Sequence, residues 1–199
     1  MESIKKAVLL SGGIDSICLT YGIKPQIAYT IDYGQTVAER EIYVSEFICK
    51  ELGIQHKCIK VDCRNLGTGT LANSKEHKLS PSVEWWPYRN QLLITLACMQ
   101  GIKDEVQEIY LASVKSDCFH KDGTQEFYNF INTLVEYQEG KIKIFCPTLE
   151  FYSHELASIY DVPIELLTIA HSCHISNIAC GRCSGCTKQL KVRHELKME

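Results

Sequence analysis

Short, largely apolar runs alternate along the chain with longer segments that favour helix. The predicted strands are residues 7–10, 26–31, 56–61, 108–114 and 142–146. The predicted helices are residues 15–21, 37–53, 87–100, 125–140, 150–160 and 163–170. Strands that alternate with helices predict an α/β fold with a doubly wound, mostly parallel sheet, in which ligands bind at the carboxyl ends of the strands.

Residues 63–84 interrupt this alternation with a polar stretch that contains GTGTLANS. A stretch of this length without regular structure is uncommon in a compact domain. We therefore expect these residues to form a lid or a binding loop.

The first predicted strand runs into the segment SGGIDS, residues 11–16. Two glycines between a strand and a helix expose backbone amides at the helix N-terminus, which is an anion-binding arrangement. Ser11 and Ser16 add hydroxyl donors, and Asp15 would repel a phosphate unless a cation such as Mg²⁺ lay between them. The alternative is an ordinary Gly-Gly turn with a Ser or Asp cap. The P-loop pattern GxxxxGK[ST] and the dinucleotide pattern GxGxxG are both absent from this segment.

Four of the 11 cysteines crowd into a short segment near the C-terminus. Cys173, Cys180, Cys183 and Cys186 follow the pattern C-x6-C-x2-C-x2-C, which suits a tetrahedral Zn²⁺ site of structural type. A redox CxxC pair and an iron–sulfur cluster are the alternatives. Arg182 and Lys188 are expected to offset the negative charge of the thiolates.

The chain of 199 residues carries 21 basic and 24 acidic residues, a formal net charge of −3. This balance argues against broad binding to nucleic acid or to a membrane surface. No apolar run approaches the roughly 20 residues that a membrane-spanning helix needs. Because Met1 leads almost directly into the first predicted strand, we expect no leader sequence and a cytoplasmic protein.

Four motifs occur in one order along the chain: SGGIDS at 11–16, DYGQ at 32–35, PYRN at 87–90 and SC-x6-CGRCSGC at 172–186. Together they resemble the 7-cyano-7-deazaguanine synthase family of the PP-loop ATP pyrophosphatases. The resemblance implies an adenine nucleotide alpha hydrolase-like fold, with a C-terminal helical and zinc-knuckle extension. It divides the chain into a PP-loop nucleotide-binding α/β domain, residues 1–149, and a helical segment with a four-cysteine zinc site, residues 150–199.

The resemblance implies an ATP-dependent, AMP-forming ligase of queuosine biosynthesis. Such an enzyme adenylates the carboxylate of 7-carboxy-7-deazaguanine and releases pyrophosphate. Ammonia then attacks to give an amide, and a second activation gives the nitrile. The expected cofactors are ATP, Mg²⁺ and Zn²⁺.

Each matched residue takes a role from the resemblance. The pyrophosphate and Mg²⁺ site is expected to comprise Ser11, Gly12, Gly13, Asp15 and Ser16. The adenine is expected at Thr30 and Ile31, with Asp32 beside them. The catalytic residues are expected to be Asp15, Arg89, Lys115 and Asp117. The deazaguanine is expected at Asp122, Glu126 and Phe127. For Asn90, which follows Arg89, a helix cap is an equal alternative to a substrate contact.

The chain departs from the family pattern where basic or nucleophilic residues are usual: Thr36-Val37, Gly123-Thr124 and Ser153-His154 stand there instead. The acceptor of the activated carboxylate is therefore open. One alternative transfers it to a protein amine, as in relatives associated with antiviral systems. The others are a PP-loop tRNA thiolase and a non-catalytic zinc-stapled nucleotide-binding subunit. A homodimer is also left open.

Overall fold

The computed structural model describes residues 4–198. Its strands form one parallel sheet of 5 strands in the order β3-β2-β1-β4-β5. The strands are β1 Lys6–Leu9, β2 Ile27–Asp32, β3 Gln55–Lys60, β4 Glu108–Tyr110 and β5 Lys143–Phe145. The predicted α/β class and the parallel sheet are thus confirmed.

Helices follow the strands in the predicted alternation. They are α1 Ile14–Ile23, α2 Ala38–Leu52, α3 Arg89–Lys103, α4 Gln125–Tyr137, α5 Ser153–Ile159, α6 Ile164–Thr168 and α7 Ser184–Glu195. Within residues 4–198, no helix has the length and apolar character needed to cross a bilayer.

The alternation of side chains along β1 builds a core on each face of the sheet. Ala7 packs with Ile94 of α3 and Ile131 of α4. Its neighbour Val8 packs on the opposite face, with Ile17 of α1 and the residues of α2. Successive side chains of a strand point to opposite faces, so a strand covered by helices on both sides must be apolar at every position.

The C-terminal helices belong to the second of these cores. Leu156 of α5, Leu167 of α6 and Val192 of α7 are buried in the same cluster as Val8. The division of the chain at residue 150 stays a prediction, but the two parts share one packed interior.

Several predicted boundaries differ from the observed ones by one to four residues, and two of these differences have a clear local cause. β4 ends at Tyr110 rather than residue 114, because the chain leaves the ladder after the amide of Leu111 bonds to the carbonyl of Phe145. α3 begins at Arg89 rather than residue 87, because Tyr88 has a left-handed backbone (φ 55°) that cannot continue a helix.

The polar stretch 63–84 contains only two short 3₁₀ turns, Arg64–Leu66 and Thr70–Ala72, as its lack of pattern predicted. Just beyond it, Trp86 is buried and its ring meets that of Tyr33 edge to face, with centroids 4.8 Å apart. Leu71 is buried in the same cluster. The stretch is therefore anchored over the carboxyl end of β2.

Candidate functional site

A cavity of about 1040 Å³ opens at the carboxyl ends of β1, β2 and β4. Leu10, Ile31 and Ala112, which end or follow these strands, lie in its wall. β1 lies between β2 and β4, and the chain extends the sheet first on the β2 side and later on the β4 side. The cavity therefore lies at the switch point of the sheet. Ligands of open α/β sheets bind at such points.

The loop after β1 is held in shape by its own hydrogen bonds. The Ser16 hydroxyl donates to the carbonyl of Gly13 at 2.9 Å and lies 3.3 Å from the hydroxyl of Ser11. Gly12 has a φ of +74°, and a Cβ there would lie 2.8 Å from the Cβ of Val44. The glycine is required both by the left-handed backbone and by the close approach of α2. Ser11, Gly13 and Ser16 face the cavity.

Asp15 lies on the cavity wall beside the ammonium of Lys188. The Lys188 Nζ is 2.7 Å from Asp15 Oδ2 and 3.4 Å from Asp117 Oδ1. Burial raises the pKa of the Asp15 carboxyl above its ordinary value, while the Lys188 ammonium opposes that shift. The prediction that Lys188 offsets the thiolates is wrong, because its side chain is directed at these two carboxylates instead.

The other Asp15 oxygen, Oδ1, is buried and has no hydrogen-bond partner among the described residues. The buried hydroxyl of Ser153, at the start of α5, faces the same cavity and acts to lower the pKa of the Asp15 carboxyl, although the two groups are not in good hydrogen-bond geometry. A buried carboxylate oxygen without a partner is costly unless a ligand satisfies it. Oxygen donors of this kind suit Mg²⁺.

Arg89 brings a second cation to the cavity, beside Tyr33 and Glu41. Burial raises the pKa of the Glu41 carboxyl to about 7, against the opposing effects of Gln35 and Arg89. The Gln35 amide donates to Glu41 at 2.7 Å. A guanidinium that faces a cavity at the first turn of a helix suits a phosphate or carboxylate ligand.

Asn90 connects α3 to the loop that carries Asp122. Its backbone amide donates to Asp122 Oδ2 at 3.2 Å, and its side-chain amide donates to the Asp122 carbonyl at 2.7 Å. The Asp122 side chain therefore caps α3, so that Asn90 is not the cap. Asp122 and Asp117 both line the cavity.

The residues predicted around adenine are distributed differently. Ile31 lines the cavity. Thr30 is buried, and its hydroxyl donates to the Leu10 carbonyl at 2.7 Å. Asp32 accepts the amide of Gly34 and lies in a separate surface depression. Within this trio, then, only Ile31 reaches the cavity.

Three other predicted site residues lie outside the cavity wall. The Lys115 ammonium lies 5.2 Å from the ring centre of Tyr152. Glu126 is exposed on the first turn of α4, and Phe127 packs against the core. Their functional roles remain predictions.

The fold also brings residues to the cavity that the motifs did not indicate. Glu84 and Trp85 enter from the polar stretch, and the Ser184 hydroxyl donates to Glu84 at 3.1 Å. His154 and Glu195 pair across the rim, with Nδ1 and Oε2 2.9 Å apart. Ser184 lies within the cysteine motif and His154 at a position where the chain departs from the family pattern, but neither was predicted as a site residue. Glu84, Trp85 and Glu195 belong to no motif, so only the packing could find them.

The four C-terminal cysteines converge as their spacing predicts. Their sulfur atoms all lie within 4.8 Å of one another, and the pairs Cys180–Cys186 and Cys173–Cys183 are 3.8 and 3.9 Å apart. Backbone amides of Cys183 and Cys186 donate to sulfurs of the cluster at 3.4 Å. Thiolates that bind one tetrahedral ion lie this close together, whereas in an iron–sulfur cube each binds a different iron. The cluster can hold a single metal ion.

The fold and this site define a PP-loop type of α/β protein, with a glycine-containing loop after the first strand and a four-cysteine centre. The chain belongs to the family described as "Queuosine biosynthesis protein QueC", whose sequence model matches residues 5–196. The resemblance inferred from the motifs is thereby confirmed.

Curated relatives match over nearly their whole length. The 7-cyano-7-deazaguanine synthase of Methanococcus aeolicus is 25% identical, with 98% of this chain and 97% of the relative covered. That of Campylobacter fetus is 28% identical, with 100% and 96% covered. Among solved structures, the U34-tRNA thiolase NcsA from Methanococcus maripaludis, with its [4Fe-4S] cluster, has a TM-score of 0.57 at 16% identity. The match covers 99% of this chain and 66% of that one. This structural likeness shows the fold alone.

Proposed function

We propose that this protein is an ATP-dependent, AMP-forming ligase that activates the carboxylate of 7-carboxy-7-deazaguanine for attack by ammonia. The observation that carries the proposal is the placement of Asp15, with its unpartnered buried oxygen, beside the anion-binding loop at the switch point of the sheet. Full-length similarity to relatives named 7-cyano-7-deazaguanine synthase supports the same substrate.

The loop and its neighbours supply the chemistry of the leaving group. The exposed loop amides and the Ser11 and Ser16 hydroxyls would bind pyrophosphate as negative charge develops on it. Asp15 and Asp117 would hold Mg²⁺, which neutralises phosphate charge when bound. Arg89 would orient the carboxylate or the α-phosphate, and holding both in line supplies much of the rate.

Other residues of the cavity wall suit the deazaguanine. Asp122 offers an acceptor to the N–H donors of the base, and its position is fixed by two hydrogen bonds with Asn90. Phe119 and Trp85 line the same space and can stack on a planar ring. The four-cysteine site would hold Zn²⁺ as a structural ion, because four thiolates leave no open coordination position.

Incubation with ATP, Mg²⁺, ammonium and 7-carboxy-7-deazaguanine tests the proposal. We expect AMP and pyrophosphate by phosphorus NMR, and the amide or nitrile product by mass spectrometry. Omission of the deazaguanine should abolish AMP formation. ADP and phosphate as products would contradict the PP-loop mechanism, and AMP without a deazaguanine product would contradict the substrate.

A further inference from the structure

Lys188 places a positive charge between the ends of two neighbouring strands. Its ammonium contacts Asp15, beyond β1, and Asp117, beyond β4. These strands flank the switch point of the sheet, where Ser11 and Gly13 of the loop after β1 also line the cavity. The Lys188 side chain is 32% exposed, so a ligand in the cavity can reach it.

Contacts on both sides of Lys188 in the sequence hold the first part of α7 in place. Cys183 caps α7 by accepting the amide of Cys186 on its sulfur. Gly185 lies against the neighbouring chain so closely that a Cβ would be 1.8 Å from the Ser172 carbonyl oxygen. Gln189 then donates to the Ala170 carbonyl at 2.6 Å. This first part of α7 is thus held against residues 170–172.

Residues 170–172 are in turn attached to the anion-binding loop. The His171 amide donates to the Gly12 carbonyl at 2.9 Å. A short chain of contacts therefore joins the cysteine cluster, Lys188 and the loop. The helix backbone that carries Lys188 is thus held in place relative to the loop that we assign to pyrophosphate.

A triphosphate needs cations near its oxygens, and the cavity wall is rich in carboxylates. Asp15, Asp117 and Asp122 all lie in it, together with Glu41 and Glu84. In the part of the chain that the structure describes, Lys188 is the cation that contacts Asp15 and Asp117. A lysine acts as a point charge toward phosphate. Its flexible side chain can exchange one anionic partner for another while the backbone of its helix stays in place.

We propose that Lys188 is a phosphate-binding residue of the nucleotide site, which passes from Asp15 and Asp117 to the β- and γ-phosphates when ATP binds. The inference rests on the proposed function, since it requires a nucleotide in this cavity. Exchange of partners would also release the two carboxylates to a divalent cation. Lys188 would then stay on the pyrophosphate as it leaves.

Calorimetric titration with pyrophosphate, a non-hydrolysable ATP analogue and AMP, all with Mg²⁺, tests this role. Lys188→Met should weaken binding of pyrophosphate and of the ATP analogue by about tenfold or more. AMP, which lacks the β- and γ-phosphates, should bind within about threefold of the wild-type affinity. Lys188→Arg should recover most of the loss, because it keeps the charge. Lys103→Met, on the exposed end of α3, is the matched control and should bind all three as the wild type does.

Unchanged pyrophosphate affinity in Lys188→Met would overturn the inference and leave Lys188 as a structural ion pair. Equal weakening of all three ligands would overturn it too, because that indicates damage to the whole site. If the wild type binds neither pyrophosphate nor the ATP analogue, the proposed function is contradicted, and the inference about Lys188, which depends on it, is contradicted as well.

Chemical labelling of lysines in the wild-type protein tests the same phosphate contact and does not depend on the folding of a variant. Acetylation of Lys188 by an amine-reactive reagent, followed by mass spectrometry, should decrease severalfold when pyrophosphate and Mg²⁺ are present. Acetylation of Lys103 should not change. Equal labelling of Lys188 with and without pyrophosphate would contradict a phosphate contact.

Discussion

Asp15 combines burial, one paired oxygen and one unpaired oxygen in a single side chain. Burial raises its pKa, and the Lys188 ammonium acts to keep it ionised. Asp15 lines the cavity, and its Oδ1 has no hydrogen-bond partner among the described residues, so this carboxylate has an acceptor position left for a cation. The proposed role of Asp15 in metal binding rests on this combination.

Asp15→Asn should lower the rate of AMP formation by about 100-fold or more, because an amide oxygen holds a cation weakly and carries no charge. The melting temperature should change by only a few degrees. Asp161→Asn, at an exposed position with a left-handed backbone that asparagine tolerates, is the control and should keep full activity. Full turnover in Asp15→Asn would remove Asp15 from the metal site.

Glu41 makes stability depend on pH. Its folded pKa is raised by burial to about 7, well above the ordinary value of 4.5. The folded state therefore favours the neutral carboxyl, and that contribution to stability is lost as the pH rises through about 7. Glu41→Gln should consequently raise the free energy of unfolding by about 1–3 kcal/mol at pH 8. At pH 4 the effect should be close to zero. Urea unfolding at both pH values measures it, and an equal effect at the two would contradict the raised pKa.

The loop between β1 and α1 depends on a glycine that packs against α2. Gly12→Ala would introduce a left-handed alanine and a methyl group 2.8 Å from the Cβ of Val44. We expect a loss of about 2–4 kcal/mol in the free energy of unfolding, together with loss of pyrophosphate binding. Gly53→Ala has a similar φ of +66° but nothing within 4 Å, so it should cost about 1 kcal/mol through strain alone. Equal losses in the two variants would show that close packing against α2 is unimportant.

The start of α7 depends on the cysteine cluster. Cys180→Ser should remove the bound Zn²⁺ and lower the melting temperature by about 10 °C, because binding energy at a structural zinc site contributes directly to folding. Elemental analysis should find one Zn²⁺ per chain in the wild type. Cys118→Ser, which changes an exposed thiol outside the cluster, is the control and should retain both the metal and the melting temperature. Iron in the purified protein, or folded wild type without any metal, would contradict the zinc assignment.

At the scale of the whole molecule, the C-terminal helices and the sheet share one interior. Leu156, Leu167 and Val192 pack in the same cluster as Val8 and Ile17. We therefore expect one cooperative thermal transition, with equal calorimetric and van't Hoff enthalpies, in the metal-loaded protein. Two separate transitions would show that the segment from residue 150 onward folds independently.

The order of strands and helices follows from the sequence alone, because apolar runs and helical segments are local properties of the chain. The first strand, the glycine loop and the convergence of four cysteines could be predicted for the same reason: each depends on residues close together in sequence. α7 was not located in this way. Its start is set by the sulfur of Cys183, and its burial against α5 requires the fold.

The composition of the cavity was decided by the tertiary structure. Lys188 and Asp15 are 173 residues apart in sequence, yet their charged atoms are 2.7 Å apart. No spacing rule relates such positions, so the sequence suggests the nearby thiolates as partners of Lys188, whereas the fold directs it at the two carboxylates. The hydroxyl of Thr30 donates to the Leu10 carbonyl, and the predicted role of this residue beside adenine stays a prediction. The sequence by itself determined the fold class and the local motifs, which depend on short-range periodicity and turn chemistry. Only the packing of distant segments at the switch point decided which charges meet there.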